Sequence, residues 1–153
     1  DRAPAKIEQI LVPIDFSGNS IRALQKAIAL KECMHQAAEI TVLNIYELPN
    51  FSVYRTSRTP EQWEQMTEQA KLEALDIFLY SNAEPYKDQI HKAAVKKDLP
   101  GVAHYIHDYA REHGTDLIVM GAKGHTKVEL VLMGSVTEKL LSDADRIPVW
   151  VVK

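Results

Sequence analysis

Four short apolar runs and one weaker, charged one recur along the chain, and helix-period apolar residues fill most of the gaps between them. The runs are Ile7-Glu-Gln-Ile-Leu-Val-Pro-Ile14, Glu39-Ile-Thr-Val-Leu-Asn-Ile-Tyr46, Gln89-Ile-His-Lys-Ala-Ala-Val-Lys96, Leu117-Ile-Val-Met120 and Pro148-Val-Trp-Val-Val152. Strands that follow one another through a helix pair in parallel, because a parallel pair needs a long crossover. The alternation therefore implies α/β: a single doubly wound five-stranded parallel sheet with helices on both faces. Five such strands favour the order 3-2-1-4-5, in which ligands bind at the carboxyl ends of the first and fourth strands.

Local signals mark the connections. Residues 1–6 are polar and carry Pro4, which reads as a loose lead-in. Pro13 removes a ladder donor near the end of the first strand. Ser17 is placed to cap a helix carrying Ile21, Leu24, Ala27 and Ile28, which ends near Met34 or His35. The region from Glu47 to Thr59 has no period, and loops of that length are usually functional or mobile. Thr59-Pro60-Glu61-Gln62 opens a second helix, expected to run to about Tyr80. Charge on the third strand suggests a sheet edge. A third helix is expected over Val102–His113, with Gly114 as its stop. A fourth is expected from Ser135 to about Asp143.

Between the fourth strand and that last helix lies a glycine-punctuated loop. Gly121 and Gly124 leave the strand and Gly134-Ser135 enters the helix. Glycine lets the main chain approach a ligand closely, and a helix start favours an anion. Lys123, His125 and Lys127 add donors and positive charge. Such a loop suits phosphates, although it lacks the Gly-Lys-Ser/Thr run of the common phosphate loop. Ordinary turn glycines, and a capping box formed by Ser135 and Glu138, account for the same residues without a ligand.

The spacing Gly121-x2-Gly124-x9-Gly134-Ser135 resembles the ATP-binding signature of the universal stress protein family, Gly-x2-Gly-x9-Gly-Ser/Thr. Ile10-Leu-Val-Pro-Ile-Asp-Phe-Ser17 and Ile147-Pro-Val-Trp-Val-Val152 stand in the family's order, so the likeness covers nearly the whole chain. It implies an adenine nucleotide alpha hydrolase-like fold and one nucleotide-binding domain over residues 1–153. The implied ligand is ATP, with AMP or ADP as alternatives, carrying Mg²⁺ or Mn²⁺ through its phosphates. Pro13, Ile14 and Ile45 would then line the adenine, and Asp15 would hydrogen-bond at the adenosine end. Capping of the nearby turn is the ligand-free account of Asp15. Met120, Gly121 and Gly124 match positions that pack on the ribose and phosphates. Gly134, Ser135, Val136 and Thr137 match those that meet the phosphates. Lys123 is read as a screening charge beside them, and a solvated loop is its ligand-free account. The family often has Gly-x-Pro before the third helix; Pro100-Gly101-Val102 departs from that, which puts that helix start and the crevice wall in question.

The resemblance further implies a stress-response regulator that forms a homodimer through its last strand, where Val149, Trp150 and Val151 offer an apolar edge. Nucleotide occupancy would then bias its shape or its contacts with a regulated protein. A slow ATPase or phosphotransferase using the same site is the alternative, but only His125 offers itself as a base. A signalling receiver domain, also a five-stranded doubly wound sheet, is a further alternative, yet no acidic partner accompanies Asp15. A net charge of −3 argues against a general nucleic-acid binder. No apolar run reaches membrane-spanning length. Cys33, the single cysteine, is expected to pack as a small residue in a cytoplasmic protein. His104, His107 and His113 are expected on a solvated helix face.

Overall fold

The structure is a computed structural model, and it describes residues 7–35, 37–48, 58–122 and 147–153. Its strands are β1 (Gln9–Pro13), β2 (Glu39–Tyr46), β3 (His91–Lys96), β4 (Leu117–Gly121) and β5 (Val149–Val152). The helices among the described residues are α1 (Gly18–Cys33), α2 (Pro60–Asn82) and α3 (Ala103–Glu112), with a short 3₁₀ turn at Lys87–Gln89. The strands form one parallel sheet in the order β3-β2-β1-β4-β5. The expected fold class and strand order therefore hold, and the charged β3 is an edge strand. The fourth helix expected from Ser135, most of the 47–59 segment and the interior of the glycine loop lie outside the described residues.

The central strands are apolar in both directions because both faces of the sheet are covered. Side chains alternate across a strand, so Ile10 and Val12 enter one core and Leu11 the other. β4 does the same, with Leu117 and Val119 on one side and Ile118 and Met120 on the other. Ala23, Leu24 and Ala27 of α1 and Leu75, Phe78 and Leu79 of α2 close the first core. Ile106 and Ala110 of α3 pack on the second.

Each helix starts where its chemistry dictates. Ser17 caps α1, its side chain accepting from the Ser20 N–H. Thr59 caps α2 and Pro60 takes its first turn, while the Gln62 side chain accepts from the Thr59 N–H to complete a capping box. α3 has no side-chain cap; the Tyr105 hydroxyl instead accepts from the Asp98 and Leu99 N–H groups, tying the preceding turn to the helix. Gly114 follows α3 with φ +65°, a left-handed angle glycine adopts without side-chain strain. Lys92 and Lys96 of β3 pair with Asp76 and Glu64 of α2 at 2.5 and 3.2 Å. The charge that marked this strand as an edge thus also seats α2 against it.

Two expectations fail. Cys33 is exposed rather than packed. The buried stripe of α1 runs through Leu24, Ala27 and Lys31, and a residue two positions past Lys31 lies on the opposite side of a helix. His107 is buried rather than solvated, because the inward stripe of α3 is Ala103, Ile106, His107 and Ala110. His104 and His113 are exposed as expected.

Candidate functional site

A crevice opens at the carboxyl ends of the strands, over the switch point between β1 and β4. Pro13, Ile14 and Asp15 line it from β1 and the turn after it, Ile45 from β2, and Met120 and Gly121 from β4. These are all the sequence-predicted site residues that fall within the described chain, and the fold brings them together. Lys123, Gly124, Gly134, Ser135, Val136 and Thr137 lie outside the described residues.

The crevice has an apolar interior and a polar rim. Leu43, Val102 and Ile106 extend the apolar wall, so α3 does contribute to it despite its altered start. Such a wall suits a flat, weakly polar ring, with a few polar groups to orient it. Ser17, Asn19 and Ser20 of the α1 start supply polar groups on another side. Strand periodicity could have pointed to Asn44, the polar residue of the Ile40-Val42-Asn44-Tyr46 face. The α1 residues gave only a helix-cap signal.

Asp15 organises that rim. Its Oδ1 accepts from the Ser17 N–H at 3.0 Å, the Ser17 hydroxyl at 2.5 Å and the Ser20 hydroxyl at 2.6 Å. The Asp15 N–H donates back to Ser20 Oγ at 2.9 Å. The carboxylate therefore does cap the turn, the role the sequence offered as the ligand-free account. The residue nevertheless stays exposed and lines the crevice. Phe16, the next residue, holds φ +66°, a costly angle for a bulky side chain. Its ring meets Phe78 edge-on at 5.8 Å, which anchors the turn to α2.

Gly121 is required by close packing. A Cβ there would lie 2.4 Å from the Asn19 carbonyl oxygen and 2.8 Å from the Asn19 Cβ. The end of β4 thus passes directly against the first turn of α1, with no room for a side chain.

Two buried amide atoms beside the crevice have no hydrogen-bond partner among the described residues. Asn44 Nδ2 donates to the Ile14 carbonyl at 2.8 Å, which leaves Asn44 Oδ1 without a donor. Arg22 donates to Asn19 Oδ1, while Asn19 Nδ2 has no acceptor. Each such atom costs about 1–3 kcal/mol unless something supplies the missing bond. A donor and an acceptor left over at one crevice fit a polar ligand or ordered water there. No group of three or more His, Cys, Asp or Glu residues suited to a metal occurs among the described residues.

The universal stress protein family profile matches residues 6–153. The chain belongs to the universal stress protein family. Universal stress protein MJ0531 of Methanocaldococcus jannaschii is 31% identical over 149 residues, covering 95% of this chain and 82% of that protein. Hypothetical protein MJ0577, whose structure has been solved, superposes with a TM-score of 0.67 at 25% identity, covering 96% of each chain. The universal stress protein of Archaeoglobus fulgidus in complex with dAMP superposes with a TM-score of 0.54 at 18% identity, covering 97% of this chain and 98% of that one. At that identity the last comparison speaks for the fold.

Proposed function

We propose that this universal stress protein is an ATP-binding regulatory module in which occupancy of the crevice biases conformation, self-association or contact with a regulated protein during stress. The observation that carries this reading is the convergence on one crevice of an apolar wall from β1, β2 and β4 and the Asp15 carboxylate. Adenine stacks against Pro13, Ile14 and Ile45, the ribose lies by Asp15 and Met120, and the phosphates run past Gly121. Lys123, Gly124, Gly134, Ser135, Val136 and Thr137 receive those phosphates, and Mg²⁺ or Mn²⁺ is held by the phosphates themselves. AMP and ADP share the adenosine end and bind by the same wall.

Residues 1–153 act as one nucleotide-binding domain in the cytoplasm, and two copies pair through β5. Trp150 is 39% exposed on that edge strand, which supports the pairing. None of the described helices is long and apolar enough to cross a membrane. The test is to release the small molecules from freshly purified protein, identify them by mass, and titrate the stripped protein with ATP. An adenine nucleotide in the extract and saturable ATP binding are expected. No bound nucleotide together with no ATP affinity ends this reading.

A further inference from the structure

We infer that Asn19 donates its side-chain amide to the phosphate group next to the ribose of the bound nucleotide. The inference rests on the nucleotide reading above and adds a phosphate contact from α1 to those of the glycine loop. Asn19 is the second residue of the 16-residue α1, is 4% exposed and lines the crevice. A buried amide normally uses both its ends in hydrogen bonds. Here Arg22 donates to Oδ1, so the amide cannot turn over without losing that bond. Nδ2 is left with no acceptor among the described residues. An amide NH₂ only donates, so the group missing from its side is an acceptor.

Its surroundings favour an anionic acceptor. The first turn of α1 carries no acidic side chain, and a helix start presents the positive end of the helix dipole. The Arg22 guanidinium, bonded to the same amide, adds a full positive charge and polarises the Nδ2–H bonds. Asp15, the one acid among the described lining residues, takes three donors on Oδ1, which offsets part of its charge. Asn19 also stands against the strand end that the phosphates pass. A Cβ on Gly121 would lie 2.8 Å from the Asn19 Cβ. A buried donor without an acceptor is costly, so a phosphate oxygen bonded there recovers a penalty rather than exchanging one bond for another.

Binding of adenosine, AMP and ATP to the full chain, measured by calorimetry, tests this on wild type, Asn19→Ala and Asn19→Asp. Wild type is expected to bind AMP more tightly than adenosine. Asn19→Ala should cut that preference roughly ten-fold, the effect of losing one hydrogen bond to a charged group. It should weaken ATP by the same factor and hold adenosine as wild type does. Asn19→Asp keeps the shape and an acceptor for Arg22 but replaces the donor with an anionic oxygen. It should lose at least as much towards AMP, and it carries the test should Asn19→Ala fold poorly. A preserved preference for AMP in a folded variant, or equal weakening towards adenosine and AMP, would overturn the role of Asn19 alone. Loss confined to ATP would overturn its assignment to the first phosphate. A wild type that binds AMP and adenosine alike would overturn this inference and leave the adenosine end of the nucleotide reading standing. A wild type that binds none of the three overturns the nucleotide reading itself.

Discussion

Single atoms set the shape of the crevice. Gly121 is the plainest case, since the carbonyl of Asn19 occupies the space a side chain would need. Gly121→Ala must push β4 away from α1, and overpacking of this kind costs about 1–3 kcal/mol. A urea titration should show that loss as a lower midpoint with an unchanged slope. A midpoint equal to that of wild type would mean the first turn of α1 yields freely. Sequence reading marked Gly121 through ligand approach, whereas the described contact is with the protein's own backbone. Spacing reveals that a side chain is unwelcome, but not what stands in its place. Asp15 carries the same lesson. A carboxylate after a strand announces a site or a cap, and only the coordinates show its Oδ1 holding three donors.

Among the elements, the helices are the most legible, because their caps are local chemistry. Thr59, Pro60 and Gln62 form the start of α2 as their residue types require. Thr59→Ala removes the cap and should cost about 0.5–2 kcal/mol. The same denaturation assay checks it, and an unchanged midpoint would show that packing alone holds the end of the helix. Strand ends were less legible. β1 begins at Gln9 rather than Ile7, and β3 at His91 rather than Gln89. Pairing decides where a strand begins, and apolar composition does not encode pairing. Asp116, for example, ties the start of β1 by accepting from the Glu8 and Gln9 N–H groups at 2.9 and 3.0 Å. The face a helical residue takes was misread at Cys33 and His107, where the neighbouring stripe outweighed the residue's own polarity.

At the scale of the molecule, the alkaline limit of stability can be anticipated. Burial raises the pKa of Tyr46 above the ordinary tyrosine range, with Glu68 and Glu64 adding to the effect. Burial raises that of Tyr109 too. The hydrogen bond to Glu64 raises Lys96 above 10.5. Each group holds its proton more tightly folded than unfolded. The stability this confers is complete below the ordinary values and is lost as pH climbs through the raised ones. Urea midpoints followed upward from pH 9 should therefore fall once pH passes about 10. A flat or rising midpoint across that range would contradict the assignment.

The sequence by itself determined the alternation, the parallel sheet and its strand order, because a doubly wound layout follows from which segments can be strands and which must cross over. It also determined the helix caps and the family, through residues whose roles are local or whose spacing is kept. Only the tertiary structure decided which distant residues share the crevice. Asp15 and Gly121 stand at the ends of adjacent strands because β1 and β4 pair in register from Ile10 against Leu117. The hydrogen bonds of Ser20 to Asp15, the single amide atoms of Asn19 and Asn44 without a partner among the described residues, and the contact that excludes a side chain at Gly121 all depend on how closely the elements approach. A linear pattern does not carry that distance, since the same residue types at the same spacing are compatible with many packings.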